Sequence, residues 1–129
     1  PLLPMGATQR AKVRAVASLI GCDIHPLNNI AVLQYLKHEM GQDQAARDAW
    51  YGHWIVEGFR AVEPLLEPGP FAFGQRPSLA DVFLMPQVFN ARRFNVLLDP
   101  FPRISAVAAS CDAHEAFRAA APENQPDAA

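Results

Sequence analysis

The chain has 129 residues, of which half are hydrophobic, and a formal net charge of -2. This length fits one domain with a buried core, and the balanced charge argues against a nucleic-acid-binding protein, which would carry a basic excess. No apolar run reaches the roughly 18 residues that span a bilayer, so we expect no membrane association. Cys22 and Cys111 have neither CxxC nor metal-site spacing, and reduced thiols in a cytoplasmic protein are the simplest interpretation.

The N-terminal third of the chain carries one long helical pattern. Apolar residues recur at three- and four-residue steps from about residue 9 to Met40, which predicts a first helix. Pro26 lies in the middle of this stripe. Because the stripe continues in phase beyond the proline, we expect the first helix to be kinked there and not broken. Residues 1–6 contain two prolines and are predicted to form an extended interdomain linker.

Two further helices are predicted in the middle of the chain. One starts at Asp43 and runs to about Leu66. The other starts at Ser78, where a hydroxyl at the N-cap and the Asp81 carboxylate three residues later match a capping box. Its next turns are apolar nearly all the way round, which is typical of a central helix packed on several sides. These apolar residues are Val82, Phe83, Leu84, Met85, Val88 and Phe89.

The C-terminal part of the chain predicts two short helices. Ile104, Val107, Ala108 and Cys111 share one helical face, and residues 115–120 form a last helical turn or two. Residues 122–129 are polar and broken by proline, so we expect a frayed tail. No segment alternates as a strand does. The predicted fold is therefore all-α: one bundle of about five helices over residues 7–121.

A polar patch lies at the expected kink. His25, Asn28 and Asn29 follow the spacing i, i+3, i+4, which puts them on one face of a helix, and Asp23 lies on another side. The patch has two interpretations. It can satisfy the carbonyl that a proline leaves without a donor, or it can face a ligand, with a histidine that titrates near neutral pH. The residues alone favour the first.

Two adjacent arginines end the central helix. Arg93 follows Val82, Pro86 and Phe89 in helical phase, so we expect it on the buried face, where it needs an anionic partner. Arg92 is expected to face solvent and to offset the helix dipole. No nucleophile stands beside a base, and no histidine lies at metal-ligand spacing. We therefore predict no catalytic residue and no metal site within this chain.

Taken together, several stretches resemble the C-terminal domain of a zeta-class glutathione transferase, and in particular maleylpyruvate and maleylacetoacetate isomerases. The similarity covers almost the whole chain. The shared SLAD helix start is common to many glutathione-transferase folds, whereas two segments are more specific. These are CDIHPLNN, over 22–29, and PQVFNARRF, over 86–94.

The resemblance implies a two-domain protein that forms a homodimer. A thioredoxin-like N-terminal domain, absent from this chain, would hold most of the glutathione site and the serine-rich motif that activates the thiol. This chain would form the substrate side, so by itself it is expected to be inactive. The implied reaction is a cis-to-trans isomerisation in aromatic catabolism. Glutathione thiolate adds to a conjugated alkene, the bond rotates, and the thiolate leaves.

The resemblance also implies roles for single residues. Arg93 would bind a carboxylate of a small dicarboxylate substrate, with His25 and Asn29 beside it, and glutathione would contact Asp23, Asn28 and Asn29. One departure is that Ile30 and Ala31 stand where family members often carry arginines. Two alternatives therefore stay open. They are a zeta-like transferase or dehalogenase of small α-halo acids, which needs only one carboxylate clamp, and a non-catalytic helical interaction module.

Overall fold

Six α-helices follow one another along residues 2–128, the part of the chain that the computed structural model describes. A π-helical turn extends the first helix, and short 3-10 turns follow the third (Glu63–Leu65) and the sixth (Pro122–Asn124). Within residues 2–128 the β pairing consists of one isolated bridge between Phe71 and Gly74. The predicted all-α fold is confirmed. The helices are α1 (Ala7–Leu19), α2 (Ile30–His38), α3 (Gln44–Val62), α4 (Leu79–Arg93), α5 (Pro102–Ala113) and α6 (Glu115–Ala120).

The first predicted helix is interrupted at the proline, so the expectation of a kink was wrong. The His25 N–H donates to the Ile20 carbonyl at 3.0 Å, which is the wide spacing of a π-helical turn over Ile20–Ile24. Pro26 has no N–H with which to prolong the helix. α2 then starts afresh, because Asn29 Oδ1 accepts a hydrogen bond from the Ala31 N–H at 2.8 Å and caps it. The apolar stripe keeps its helical spacing across this turn only in the sequence, which hid the break, and its members Ala31 and Tyr35 are exposed in α2.

The core lies between α1, α3, α4 and α5, which turn their apolar faces toward one another. α4 contacts the other three, as expected of a central helix. Phe59 of α3 is fully buried, and its ring meets Phe101 edge-to-face with 5.6 Å between centroids. Burying a side chain of this kind contributes roughly 1.5–3 kcal/mol. Others that are fully buried are Val13, Val16, Ile20, Ile24, Ile55, Val62, Leu84, Val88 and Ile104.

The start of α4 is held by the predicted capping residues. The Asp81 carboxylate is fully buried and accepts hydrogen bonds from the Ser78 N–H and from the Ser78 hydroxyl, both at 2.8 Å. It accepts a third from the Ala72 N–H at 2.7 Å. The same carboxylate therefore caps the helix and fastens the loop before it.

The end of α4 is set by Asn95, which adopts a left-handed conformation with φ 55°. The Val96 N–H then reaches back to the Ala91 carbonyl at 2.8 Å, in the manner of a Schellman motif. This stop leaves Arg92 and Arg93 in the last turn of the helix.

The remaining helices match their predictions closely. α3 starts after Asp43, whose carboxylate accepts from the Ala46 N–H at 2.8 Å. α5 buries the four residues of its predicted face, Ile104, Val107, Ala108 and Cys111. α6 covers residues 115–120, as predicted. No helix in the described part of the chain is both long enough and apolar enough to cross a bilayer.

Candidate functional site

A cleft of about 350 Å³ opens where the π-helical turn ends, between that turn, α3 and α4. The turn around Pro26 forms one side of it, and α4 supplies two polar side chains from the other. Trp50 on α3 holds this turn, because its Nε1–H donates to the Leu27 carbonyl at 2.8 Å. The lining residues are Gly21, His25, Pro26, Asn28, Asn29, Tyr51, Gln87 and Asn90.

Two carboxamide side chains are buried in this cleft, one from the turn around Pro26 and one from α4. Asn28 is 7% exposed and Gln87 is 0% exposed, and neither the nitrogen nor the oxygen of either side chain has a hydrogen-bond partner within residues 2–128. A buried polar group without a partner costs roughly 1–3 kcal/mol, so such groups are uncommon in native proteins. Two of them in one cleft indicate a ligand site.

The cleft is polar but carries no fixed charge, since no Asp, Glu, Lys or Arg is among its lining residues. Its one titratable imidazole, on the half-buried His25, has its pKa lowered by burial. The lowered pKa favours a neutral ring at neutral pH. The site therefore offers neutral donors and acceptors to a ligand.

Tyr51 lines the cleft toward the end of α4, and Phe94, which is outside the lining, stacks on it to form the Tyr51–Phe94 wall. The rings of Tyr51 and Phe94 stack with 3.8 Å between centroids. Burial raises the pKa of the Tyr51 hydroxyl, and the positive charge of Arg93 partly opposes that rise. The Arg93 guanidinium carbon lies 5.8 Å from the centre of the Phe94 ring. A cation thus stands beside the cleft without lining it.

Comparison with known proteins shows the family to which the chain belongs. The chain matches no family model. It is 52% identical to a maleyl pyruvate isomerase of known structure, a bacterial zeta-class glutathione transferase, with a TM-score of 0.97 over 99% of this chain and 62% of that one. It is 42% identical to the maleylpyruvate isomerase of Pseudomonas aeruginosa PAO1, with a TM-score of 0.94 over 99% of this chain and 68% of that one. The chain belongs to the maleylpyruvate isomerase family, in the zeta class of glutathione transferases.

The zeta-class relatives are longer than this chain, which spans 62% and 59% of the first two curated relatives that it matches. Several solved relatives hold ligands, and one of them is informative about the substrate side. The maleylacetoacetate isomerase of Anaeromyxobacter dehalogenans 2CP-1 holds dicarboxyethyl glutathione and citrate in its active site. It is 37% identical to this chain, with a TM-score of 0.93 over 99% of this chain and 58% of that one.

The structure brings together three of the residues that the sequence singled out as a zeta-class site. His25, Asn28 and Asn29 all line the cleft, although through a turn and not through a helical face. Asn29 also caps α2. Asp23 is exposed and lies outside the cleft lining. Their roles toward ligands stay predictions.

The expected burial of Arg93 was wrong for this domain. Arg93 is exposed, and Val82 and Phe89, which share its face, are 40% and 38% exposed. Apolar residues surround most of α4, so its sequence could not decide which face meets the core. Arg92 is exposed as expected, and its guanidinium bonds to the Asp112 carboxylate of α5 at 2.7 Å. The buried face consists of Ala80, Asp81, Leu84, Gln87, Val88 and Ala91.

Sequence reasoning missed Tyr51, Gln87 and Asn90 in this zeta-class cleft. A signal for Gln87 existed, because it lies three residues after the buried Leu84 and four before the buried Ala91. A carboxamide in the register of a core face needs a partner. Within the described residues, no three His, Cys, Asp or Glu side chains lie together as metal ligands would.

Proposed function

We propose that this chain is the substrate-side domain of a glutathione-dependent isomerase that converts the cis double bond of maleylpyruvate or maleylacetoacetate to trans. The observation that carries the proposal is its close similarity, along its whole length, to maleylpyruvate isomerases. The cleft adds support, because its buried carboxamides have no partner within residues 2–128 and so favour a polar ligand. Glutathione is the cofactor of this reaction.

Arg93 is proposed as the ligand of a substrate carboxylate. It is a cation beside the cleft, next to the Tyr51–Phe94 wall, and in the described part of the chain no carboxylate forms an ion pair with it. A bidentate contact between a guanidinium and a carboxylate is strong and directional. His25 and Asn29 are proposed to contact the same substrate from the turn around Pro26.

Glutathione is proposed to bind on the exposed side of the turn around Pro26, near Asp23 and the Asn28–Asn29 pair. Asp23 is solvent-accessible, and Asn29 is exposed at the cleft rim. The thiol needs a lowered pKa to act as a nucleophile, and no residue of this cleft is charged to provide that. We place the activating residues in a thioredoxin-like domain that precedes this chain in the full-length protein.

An apolar stripe on α4 is proposed as the surface on which that preceding domain packs. One exposed face of the helix carries Val82, Pro86 and Phe89. Exposed apolar patches are usually covered by a partner, which supports this proposal. The linker runs to the same helix, since the Leu2 carbonyl accepts from the Leu79 N–H at 2.8 Å. We further propose that the full-length protein is a cytoplasmic homodimer.

The test is an isomerisation assay on the full-length protein, with and without glutathione. We expect conversion of maleylpyruvate that depends on glutathione, and none by residues 1–129 alone. Failure to convert either maleyl substrate would refute the proposal. Chloride release from a small α-chloro acid would then favour the dehalogenase alternative, which needs one carboxylate clamp, and inactivity on both would favour an interaction module.

A further inference from the structure

Asn28 and Gln87 set a specific demand on whatever fills the cleft. Each presents an NH₂ donor and a carbonyl acceptor, and all four atoms are buried without a partner within residues 2–128. A ligand group that only accepts hydrogen bonds, such as a carboxylate, would leave Asn28 Oδ1 and Gln87 Oε1 unsatisfied. The matching group carries a donor and an acceptor side by side.

The lack of charged residues in the cleft lining also limits which ligand groups fit there. A permanent carboxylate is stabilised by a cation, and none lines the cleft. The nearby cation is Arg93, beyond the Tyr51–Phe94 wall. A substrate that spans both places would put its carboxylate at Arg93 and a neutral polar group against the carboxamides.

We propose that Asn28 and Gln87 recognise the 1,3-dicarbonyl unit of the substrate. The inference rests on the proposed function, because maleylpyruvate and maleylacetoacetate both carry two carbonyls separated by one CH₂ group. In the enol form of such a unit, an O–H donor stands beside a C=O acceptor. Gln87 Oε1 can accept a hydrogen bond from that O–H, and the Asn28 NH₂ group can donate to the C=O that is conjugated with the alkene.

The hydrogen bond from the Asn28 NH₂ group to the conjugated carbonyl also assists the addition of the thiolate. When the glutathione thiolate adds to the alkene, the electron pair of the double bond moves onto the conjugated carbonyl and forms an enolate. The NH₂ donor of Asn28 is fixed in place by burial and stabilises that oxygen, whereas Gln87 contacts the second carbonyl of the 1,3-dicarbonyl unit. When the thiolate leaves, the electron pair returns to the double bond, so the step needs no further reactant. On this proposal Asn28 also contacts the substrate, while Asp23, His25 and Asn29 keep the roles proposed above.

Gln87→Met in the full-length enzyme tests this specificity. The change keeps the length of the side chain and removes its hydrogen bonds. We expect kcat/KM for maleylpyruvate to fall by about tenfold or more. For cis-4-oxopent-2-enoate, which has the alkene and one carbonyl but no 1,3-dicarbonyl unit, the loss should stay below about twofold. Equal losses on both substrates, or no loss on either, would overturn the proposal.

Thermal melting separates this role from a structural one. If the Gln87 carboxamide is unpaired until a ligand binds, Gln87→Met removes a buried unsatisfied group. The melting temperature of the ligand-free protein should then stay equal or rise. A fall of several degrees would show that the carboxamide supports the fold, and the proposal would fail. The matched control is Gln34→Met on α2, where the exposed side chain bonds only to His38. It should change neither kinetics nor melting.

Calorimetry gives a readout that needs no turnover. Acetylpyruvate carries the 1,3-dicarbonyl unit, whereas levulinate carries one ketone, and each has one carboxylate. We expect acetylpyruvate to bind the full-length protein about tenfold more tightly, and Gln87→Met to remove that difference. If the protein lacks isomerase activity but keeps this preference, the proposed function fails and the dicarbonyl site stands. If the preference is absent, the site proposal fails alone.

Discussion

The side chain of Ile24 occupies the space where a β-carbon on Gly58 would lie. Gly58 lies in the C-terminal part of α3, and Ile24 is the last residue of the π-helical turn. This close approach seats the π-helical turn against α3, and the turn around Pro26 that carries His25 and Asn28 follows directly. A glycine in a helix interior costs about 1 kcal/mol relative to alanine, and here it allows the packing that positions the cleft.

Gly58→Ala should therefore destabilise the protein although alanine is the better helix former. The added methyl group overlaps the buried Ile24 side chain, and overpacking of this kind costs roughly 1–3 kcal/mol. We expect a lower denaturant midpoint in chemical unfolding. Gly52→Ala is the matched control on the same helix, because a β-carbon there meets Val96 only at 3.4 Å. A stabilised Gly58→Ala variant would contradict the close approach.

Asp81→Ala should lower stability by about 3 kcal/mol, since it removes a capping box and leaves the buried Ala72 N–H without its acceptor. Asp112→Ala also removes one carboxylate, but that of an exposed ion pair with Arg92. Exposed pairs contribute about 0–1 kcal/mol. Thermal melts of the two variants should differ by several degrees. Similar melting temperatures would show that the Asp81 network contributes little.

These local features were predictable because their signals are local. Ser78 and Asp81 define a cap by their spacing alone, and the four apolar residues of α5 define its buried face. The break at Pro26 was not predictable from periodicity, because apolar residues keep a helical spacing across it in the sequence, although Ala31 and Tyr35 of that stripe are exposed in α2. The exposure of Arg93 was not predictable for a different reason. α4 is apolar on two sides, and only the packing of α1, α3 and α5 decides which side is core.

The cleft itself depended on tertiary structure. His25, Asn28 and Asn29 were recognisable as a polar group, but Gln87 joins them only because α4 packs against the π-helical turn. No local pattern shows that the carboxamides lack partners, since that follows from the whole set of contacts.

The thiols should differ sharply in reactivity. Burial, with the nearby Asp81 and Asp112 carboxylates, raises the pKa of Cys111 to about 12, so almost no thiolate forms at pH 8. Cys22 is exposed at the π-helical turn. Iodoacetamide at pH 8 should modify Cys22 alone in the native protein, and both thiols after denaturation. Peptide mass spectrometry measures this, and rapid native labelling of Cys111 would contradict its burial.

Stability should fall in mild acid partly through His25. Burial lowers its folded-state pKa below 6.5, so the folded protein favours the neutral ring. The contribution is fully present above pH 6.5. As the pH falls below 6.5 the unfolded chain binds the proton first, and the free energy of unfolding decreases. His25→Gln should flatten that part of the pH dependence, as measured by urea unfolding at several pH values. An unchanged slope would count against a buried neutral imidazole.

Arg93→Ala should reduce kcat/KM for maleylpyruvate in the full-length enzyme by roughly one to two orders of magnitude. The reason is the loss of a charge-assisted contact to the substrate carboxylate, which contributes about 1.5–3 kcal/mol. Arg93→Lys should recover only part of this, because lysine keeps the charge but loses the planar fork. Melting temperatures should hardly change, since Arg93 is exposed and makes no ion pair among the described residues.

Arg92→Ala is the matched control for this prediction. Arg92 is the adjacent arginine in the same helical turn, but it points to Asp112 of α5 in an ion pair whose partners are 48% and 47% exposed. Its loss should cost less than about 1 kcal/mol of stability and leave the kinetics nearly unchanged. Steady-state kinetics beside a thermal melt for each variant separates the two roles. Equal kinetic losses for the two arginines would remove the assignment of Arg93 to the substrate, because a general loss of positive charge would then explain both.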